Sequence, residues 1–394
     1  MATVEGPFEL EHGGVLEGPI SVVWEQWGEP RLPASRTVVV LPSFSHGSHL
    51  CSNLDNPGPG WWQFLVGPGK HLNTDRWRVV CLSVLGSPHG ATSALSPRPG
   101  APELRYGPAF PAITPGDMAR CHARVLDALG LRRVHAVVGG SMGGMQSLQF
   151  AALFPDRCDR VVSIAGTAKT SPGTVAFRKV QRDAIAMDPG FRGGRYNERV
   201  DGTGATPGPL SGMGVARKLG MTCYRSRVEF DGRFDWAVRA DAGVGPGDAT
   251  TEVESYMDYQ ASKFVRTYDA NCYLALSKAM DLQDLGLPSD DGGLTGGLAA
   301  GIQRIGSAGG KALIMGVQQD MLIPLSEQRH VADVLRAAGR DVEFIAVDDV
   351  RGHDAMFNAQ AGLEHFGPPI QAFLEAGLEE ELARQEAVDF SAGI

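Results

Sequence analysis

The stretch with the most chemistry in this chain is Gly139-Gly140-Ser141-Met142-Gly143, a serine with a glycine two positions away on each side. A serine hydroxyl is a weak nucleophile. It needs a base within hydrogen-bond reach and donors for the oxyanion it creates. The residues before it, Arg133 to Val138, form a short valine-rich run suited to a buried strand. A helical spacing starts right after it, at Met145, Leu148, Gln149, Ala152 and Leu153. A serine on so sharp a strand-to-helix turn has a strained backbone, and a Cβ two residues to either side would crowd it. Its Oγ would stand above the sheet edge at a helix N-terminus, where the helix dipole favours negative charge. The competing reading is a tight turn with an inert serine.

A nucleophilic Ser141 requires a base and an acid that orients the base. On a parallel sheet with such a turn they are expected later in the chain, acid first, each on a loop at the carboxyl end of a strand. The run Lys311 to Val317 reads as a strand, and Asp320 follows it. The run Val342 to Val347 reads as another, and His353 lies on the next loop. Asp320 could instead be a turn residue or a helix N-cap, and Asp348 and Asp349 are rival acids beside His353. Among the other histidines, His46 and His49 precede the serine and His330 falls in an expected helix. The oxyanion donors expected from this arrangement are the backbone N–H of Met142 and one from Phe44 or Ser45, on the polar loop after an early strand. A solvent-facing turn is the alternative for that loop.

The elements around these residues alternate. Strands are expected at Ile20 to Trp24, Thr37 to Leu41, Arg76 to Val84, 133 to 138 and 160 to 164, and helices at Asp117 to Leu129 and 143 to 154. This rhythm implies an α/β fold, a mostly parallel sheet with helices on both faces. After Gly166 the rhythm breaks. Val175 to Met187, Val215 to Tyr224, Thr251 to Tyr268 and Asn271 to Leu282 read as helices, with no clear strand among them. We therefore expect a core of residues 1–166 and 286–394, interrupted by a helical lid over 167–285. Glycine- and proline-rich stretches at 201–214 and 286–310 read as flexible connections. Helix Ser326 to Ala338 separates the last two strands, and an amphipathic helix is expected over about Pro369 to Ala387.

Composition narrows the function classes. In 394 residues, 43% are hydrophobic and 21% charged, as in ordinary globular proteins. The net charge of −9 argues against nucleic-acid and anionic-membrane partners. The six cysteines have no metal-ligand spacing and read as reduced thiols of a cytoplasmic protein. No metal site is expected. There is no basic-then-apolar leader and no run near the roughly 18 apolar residues that span a bilayer.

Several runs together resemble the homoserine/serine O-acyltransferase family. They are Gly139 to Gln146, Gly60-Trp61-Trp62, Gly67 to Lys70, Leu85-Gly86-Ser87, Ala216 to Leu219, Tyr224-Arg225-Ser226, Asp269 to Leu274, and Gly352 to Ala355. The resemblance covers about residues 15 to 375. It implies the α/β-hydrolase fold, with an inserted helical lid, and an enzyme of methionine or cysteine biosynthesis. Such an enzyme moves an acyl group from acyl-CoA, as a co-substrate, to the hydroxyl of L-serine or L-homoserine by a ping-pong acyl-serine mechanism. It further implies that Arg217 and Tyr224 line the amino-acid site, that Asp354 contacts the substrate, and that the protein is a homodimer. The runs Asn53 to Trp62, Gln181 to Ile185, Ala216 to Gly220 and Val253 to Tyr256 are similar to the serine O-succinyltransferase branch, where Arg178 matches an arginine linked to acyl choice. The loop Phe44-Ser45-His46-Gly47 and the run Cys51 to Leu54 depart from the patterns expected. They leave serine against homoserine, and succinyl-CoA against acetyl-CoA, open. An esterase or thioesterase with the same triad, or a catalytically silent scaffold, are the rival classes.

Overall fold

The computed structural model describes residues 1–234, Gly243, Gly245, Asp248, 251–286 and 297–378. Its central sheet has seven strands: β1 (Trp24–Trp27), β2 (Thr37–Leu41), β3 (Arg78–Leu82), β4 (Val134–Gly140), β5 (Cys158–Ile164), β6 (Lys311–Val317) and β7 (Asp341–Val347). Their spatial order is β7-β6-β5-β4-β2-β3-β1, and only β1 runs antiparallel to its neighbour. Every residue of β2 and β4 is buried, so these strands are continuous apolar runs rather than alternating ones. The helices are α1 (Pro115–Ala128), α2 (Met142–Leu153), α3 (Pro172–Met187), α4 (Leu210–Tyr224), α5 (Arg227–Phe234), α6 (Glu252–Val265), α7 (Ala270–Asp281), α8 (Gly297–Gln303), α9 (Leu325–Ala337) and α10 (Gly367–Glu375).

One apolar core gathers Met118, Val125, Leu148 and Ile314 on one face of the sheet. The other gathers Trp62, Trp77, Ile370 and Phe373. α1 begins at a capping box, with Thr114 accepting from the Asp117 N–H and Asp117 accepting from the Thr114 N–H. α2 is buried along its whole length beneath the sheet's carboxyl edge.

The segment between β5 and β6 holds α3 to α8 and, among its described residues, no strand of the sheets. Its entry and exit lie side by side. The Thr170 N–H donates to Gln283 O at 3.0 Å, the Leu285 N–H to Ala168 O at 2.9 Å, and Lys169 Nζ sits 2.6 Å from Asp284 Oδ2. The insertion therefore leaves and re-enters the sheet at one place, and β6 still pairs directly with β5.

Three details differ from the expected elements. The early strand is split at Val23: Ile20–Val22 pairs with Ala2–Val4, and Trp24–Trp27 pairs with β3. Between them Val23 bonds to Gly90 and Ser83 instead, which redirects the chain. A hairpin of Pro97–Arg98 with Ala101–Arg105 has mostly exposed residues and no apolar alternation to reveal it. The last helix starts at Gly367 and ends at Glu375, and the rest of its expected span from residue 379 lies outside the described residues. Residues 287 to 296 of the stretch at 286–310 also lie outside them, while α8 occupies Gly297–Gln303.

Candidate active site

β4 ends at Gly140 and α2 begins at Met142, so Ser141 alone makes the turn. Its backbone lies at φ 57° and ψ −119°, a region that costs a non-glycine residue on the order of 1–3 kcal/mol. The turn is held by the Ser141 N–H donating to Ile164 O at 2.8 Å. The flanking glycines are a steric requirement. A Cβ on Gly139 would stand 2.1 Å from Gly143 O, and one on Gly143 would stand 2.1 Å from Leu41 O.

The structure brings Ser141, His353 and Asp320 together. His353 Nε2 lies 2.7 Å from Ser141 Oγ, and His353 Nδ1 lies 2.6 Å from Asp320 Oδ2. All three side chains are buried. Asp320 stands three residues past β6, and its other oxygen accepts from the Leu322 and Ile323 N–H groups, each at 2.8 Å. It is not the N-cap of α9, which is Pro324. Because the Asp320 carboxylate only accepts, Nδ1 of His353 carries the proton and Nε2 is free to accept from the Ser141 hydroxyl. Burial pulls the His353 pKa down, but the charge and hydrogen bond of Asp320 outweigh it and leave it above 6.5. The rival acids are engaged elsewhere: Asp348 accepts from Gln319 Nε2, and Asp349 pairs with Arg351 at 2.8 Å.

The loop after β2 lines the same cavity as Ser141. Met142 is the first residue of α2, so its N–H has no carbonyl one turn back within the helix. Phe44 and Ser45 line the cavity next to Ser141. Two contacts from outside the loop fix its backbone: the Tyr268 hydroxyl donates to Phe44 O at 2.8 Å, and Gln146 Nε2 donates to Pro42 O at 3.1 Å. The Phe44 ring is stacked on Tyr268 and meets Tyr273 edge-on, with centroids 5.2 and 4.9 Å apart.

These groups open onto a cavity of about 200 Å³, which Arg178, Arg217, Tyr224 and Asp354 also line. Arg217, on α4, lies over the Phe264 ring at 4.8 Å and the Tyr224 ring at 5.8 Å, and its Nε is buried with no hydrogen-bond partner among the described residues. Two aromatic faces thus hold a guanidinium without neutralising it. Asp354 follows His353. Burial raises its pKa above 3.8, opposed by Arg225, whose Nε is 3.6 Å away, and by Arg217. The Tyr224 ring lies 6.1 Å from the His353 ring, tilted by 36°, and burial raises its pKa, which keeps the phenol protonated. Arg178 is a buried residue of α3, 3.3 Å from Asp281. Among the described residues no cluster of three or more His, Cys, Asp or Glu side chains is placed to hold a metal ion, and all six cysteines are buried and unpaired.

Sequence reasoning passes over several wall residues. Its position before the serine counts against His46 as the base, yet His46 lines the cavity, stacked on Trp61 at 4.7 Å with its Nδ1 bonded to Ser43. Burial, followed by Arg217 and His89, pushes its pKa down to about 3, so it stays neutral. Its place directly after the expected oxyanion loop is the available signal. Gln181, Tyr273, Ser277 and Met280 reach the cavity from α3 and α7, and helical spacing marks them only as inward-facing.

Comparison with known proteins follows the same lines. Residues 36–349 match the family model of the alpha/beta hydrolase fold. A serine O-succinyltransferase of Stenotrophomonas maltophilia (strain K279a) is 40% identical over 375 residues, covering 94% of this chain and 95% of that protein. An L-serine/homoserine O-acetyltransferase of Streptomyces lavendulae is 41% identical over 376 residues, covering 93% and 94%. Among solved structures, a homoserine O-acetyltransferase from Bacillus anthracis superposes with a TM-score of 0.80 at 23% identity, covering 94% of this chain and 96% of that one.

Proposed function

The chain belongs to the α/β-hydrolase fold family and, within it, to the serine and homoserine O-acyltransferases, and from that premise we propose an acyl-CoA-dependent transfer to L-serine through an acyl-Ser141 intermediate. The lead reading is a serine O-succinyltransferase, and transfer of acetyl to homoserine is the alternative. The observation that carries it is the combination of one buried Ser–His–Asp arrangement with a cavity lined by two arginines and one further carboxylate. Simple ester hydrolysis has no use for those charges. A zwitterionic acceptor and an acyl group ending in a carboxylate need them.

In this mechanism His353, oriented by Asp320, takes the Ser141 proton as Oγ attacks the thioester carbonyl. The Met142 N–H and a Phe44 or Ser45 N–H hold the oxyanion. The tetrahedral species collapses, the C–S bond breaks, and His353 gives its proton to the leaving thiolate. The acceptor then enters, with its carboxylate against Arg217 and its ammonium against Asp354. Its hydroxyl gives a proton to His353 and attacks the acyl carbon, and Ser141 leaves with that proton. The helices α3 to α7 cover the site and keep water from the acyl-enzyme.

The same helices carry the proposed homodimer contact. Phe177, Val180 and Met187 on α3 and Leu210 and Val215 on α4 expose apolar surface. Sedimentation at micromolar concentration would test it, with a monomer rejecting it.

A two-by-two assay of succinyl-CoA and acetyl-CoA against serine and homoserine tests the function. Serine with succinyl-CoA is expected to give the highest kcat/KM, with parallel double-reciprocal lines and an acyl adduct on Ser141. Equal turnover without any amino acid would make the protein a hydrolase. Intersecting lines with no adduct would reject the ping-pong scheme.

A further inference from the structure

The inward face of α3 is formed by Thr174, Arg178, Gln181 and Ile185, all buried and spaced four, three and four residues apart. Arg178 and Gln181 are therefore neighbours on one stripe, and both line the cavity that contains Ser141. Arg178 and Arg182 share a single carboxylate: Asp281 lies 3.3 Å from Arg178 Nη1 and 2.6 Å from Arg182 Nη2. Among the described residues no second carboxylate pairs with them, so one positive charge in this wall has no acidic partner.

Two donors at this wall are unused. Among the described residues, Arg178 Nη2 and Gln181 Nε2 are each buried without a hydrogen-bond partner. The rest of Gln181 is fixed. The Tyr273 hydroxyl donates to its Oε1 at 2.8 Å, and burial keeps that phenol protonated by raising its pKa well above 10.0. Oε1 already accepts from Tyr273, which turns Nε2 outward as the free donor the amide offers a ligand. Buried donors left unmatched are costly, and native structures keep few of them. A pair of donors beside an excess positive charge matches the two oxygens of a carboxylate.

We infer that Gln181 is a specificity-determining residue for the acyl donor, binding together with Arg178 the free carboxylate at the far end of a dicarboxylic acyl group, with Tyr273 as its positioning residue. This rests on the reading that the donor is succinyl-CoA. An uncharged acyl end would leave Gln181 Nε2 unmatched. The carboxylate of the amino-acid acceptor has the same chemistry, so the test separates the two sources by which substrate responds.

The experiment measures kcat and KM of the wild-type protein, Gln181→Leu and Tyr273→Phe with succinyl-CoA and with acetyl-CoA, at fixed serine and then with serine varied. One hydrogen bond to a charged group corresponds to roughly 10- to 100-fold, so Gln181→Leu should lower the succinyl-to-acetyl ratio of kcat/KM by about that factor, through the acyl-donor KM. Tyr273→Phe should shift the ratio in the same direction by less. Equal losses with both donors would overturn the inference and give Gln181 a structural role. A rise in the serine KM instead of the succinyl-CoA KM would overturn it in favour of the acceptor carboxylate. A wild-type protein that uses acetyl-CoA but not succinyl-CoA would overturn the donor reading itself, before any variant is compared.

Discussion

Asp320 and His353 are joined at 2.6 Å through one carboxylate oxygen, while the other oxygen of Asp320 is held by two backbone N–H groups at 2.8 Å. The carboxylate is therefore fixed before it orients anything. It selects the His353 tautomer whose Nε2 faces Ser141.

Catalysis should consequently show an acid limb. His353 is a base only when neutral, and Asp320 holds its pKa above 6.5 against the pull of burial. Activity should rise with pH through a value above 6.5. Asp320→Asn should lower kcat by about 10,000-fold, because the amide favours the wrong tautomer. A pH–rate profile and single-turnover acylation rates check both points, and an Asp320→Asn protein with a tenth of wild-type activity would reject the assignment.

The elbow should not tolerate a single added methyl. In Gly143→Ala the new Cβ would meet Leu41 O at 2.1 Å, so strand β2 or helix α2 must move. A destabilisation of about 3 kcal/mol or more is expected, with loss of reaction at Ser141. Urea unfolding and labelling by a fluorophosphonate probe provide the measurement, and a Gly143→Ala protein of wild-type stability would contradict the geometry.

Arg217 and Asp354 should affect the second half-reaction. Arg217→Lys keeps a charge but loses the planar fork that lies over Phe264 and Tyr224. The acceptor KM should rise on the order of 10- to 100-fold, and Asp354→Asn should act in the same direction. The burst of free thiol that marks acylation should persist. Loss of the burst with an unchanged acceptor KM would place these residues on the donor side instead.

Arg178→Leu should lose succinyl transfer more than acetyl transfer. Arg182 still faces Asp281 at 2.6 Å, so removing Arg178 does not leave a buried carboxylate alone. Competition between the two donors in one reaction reads the ratio directly, and equal losses would reject a role in acyl choice.

His49 should make stability depend on pH. Its Nδ1 lies 2.8 Å from Glu25 Oε2 and its Nε2 lies 2.8 Å from Gly58 O, two acceptors that only the protonated ring can serve together. Burial lowers its pKa, but Glu25 and Gly58 outweigh that and leave it above 6.5. A histidine raised on folding contributes stability that is fully present below its unfolded pKa and is lost as pH rises through the folded value. The Tm gap between the wild type and His49→Gln should therefore shrink from pH 5.5 to pH 8.5. A gap that is constant or grows with pH would exclude a charged His49.

Much of the fold is legible in the chain itself, because buried parallel strands are short valine-rich runs and the helices between them carry their own spacing and caps. β2, β4 and β6 and helices α1, α2 and α9 lie within about three residues of where the sequence pattern puts them. The elbow is legible for a local reason: only glycine fits at positions 139 and 143 of so tight a turn. Chain order along the sheet points to Asp320 and His353. What the tertiary structure decided is everything that depends on which side chains remain unpaired. Asp348 and Asp349 are as acidic in sequence as Asp320, and the fold sets them apart by engaging them with Gln319 and Arg351 while Asp320 meets His353. His46 entered the cavity wall, and Gln181 and Tyr273 became partners across two helices 92 residues apart. A sequence states the donors and acceptors that a chain owns, whereas folding determines which of them are left over for a substrate.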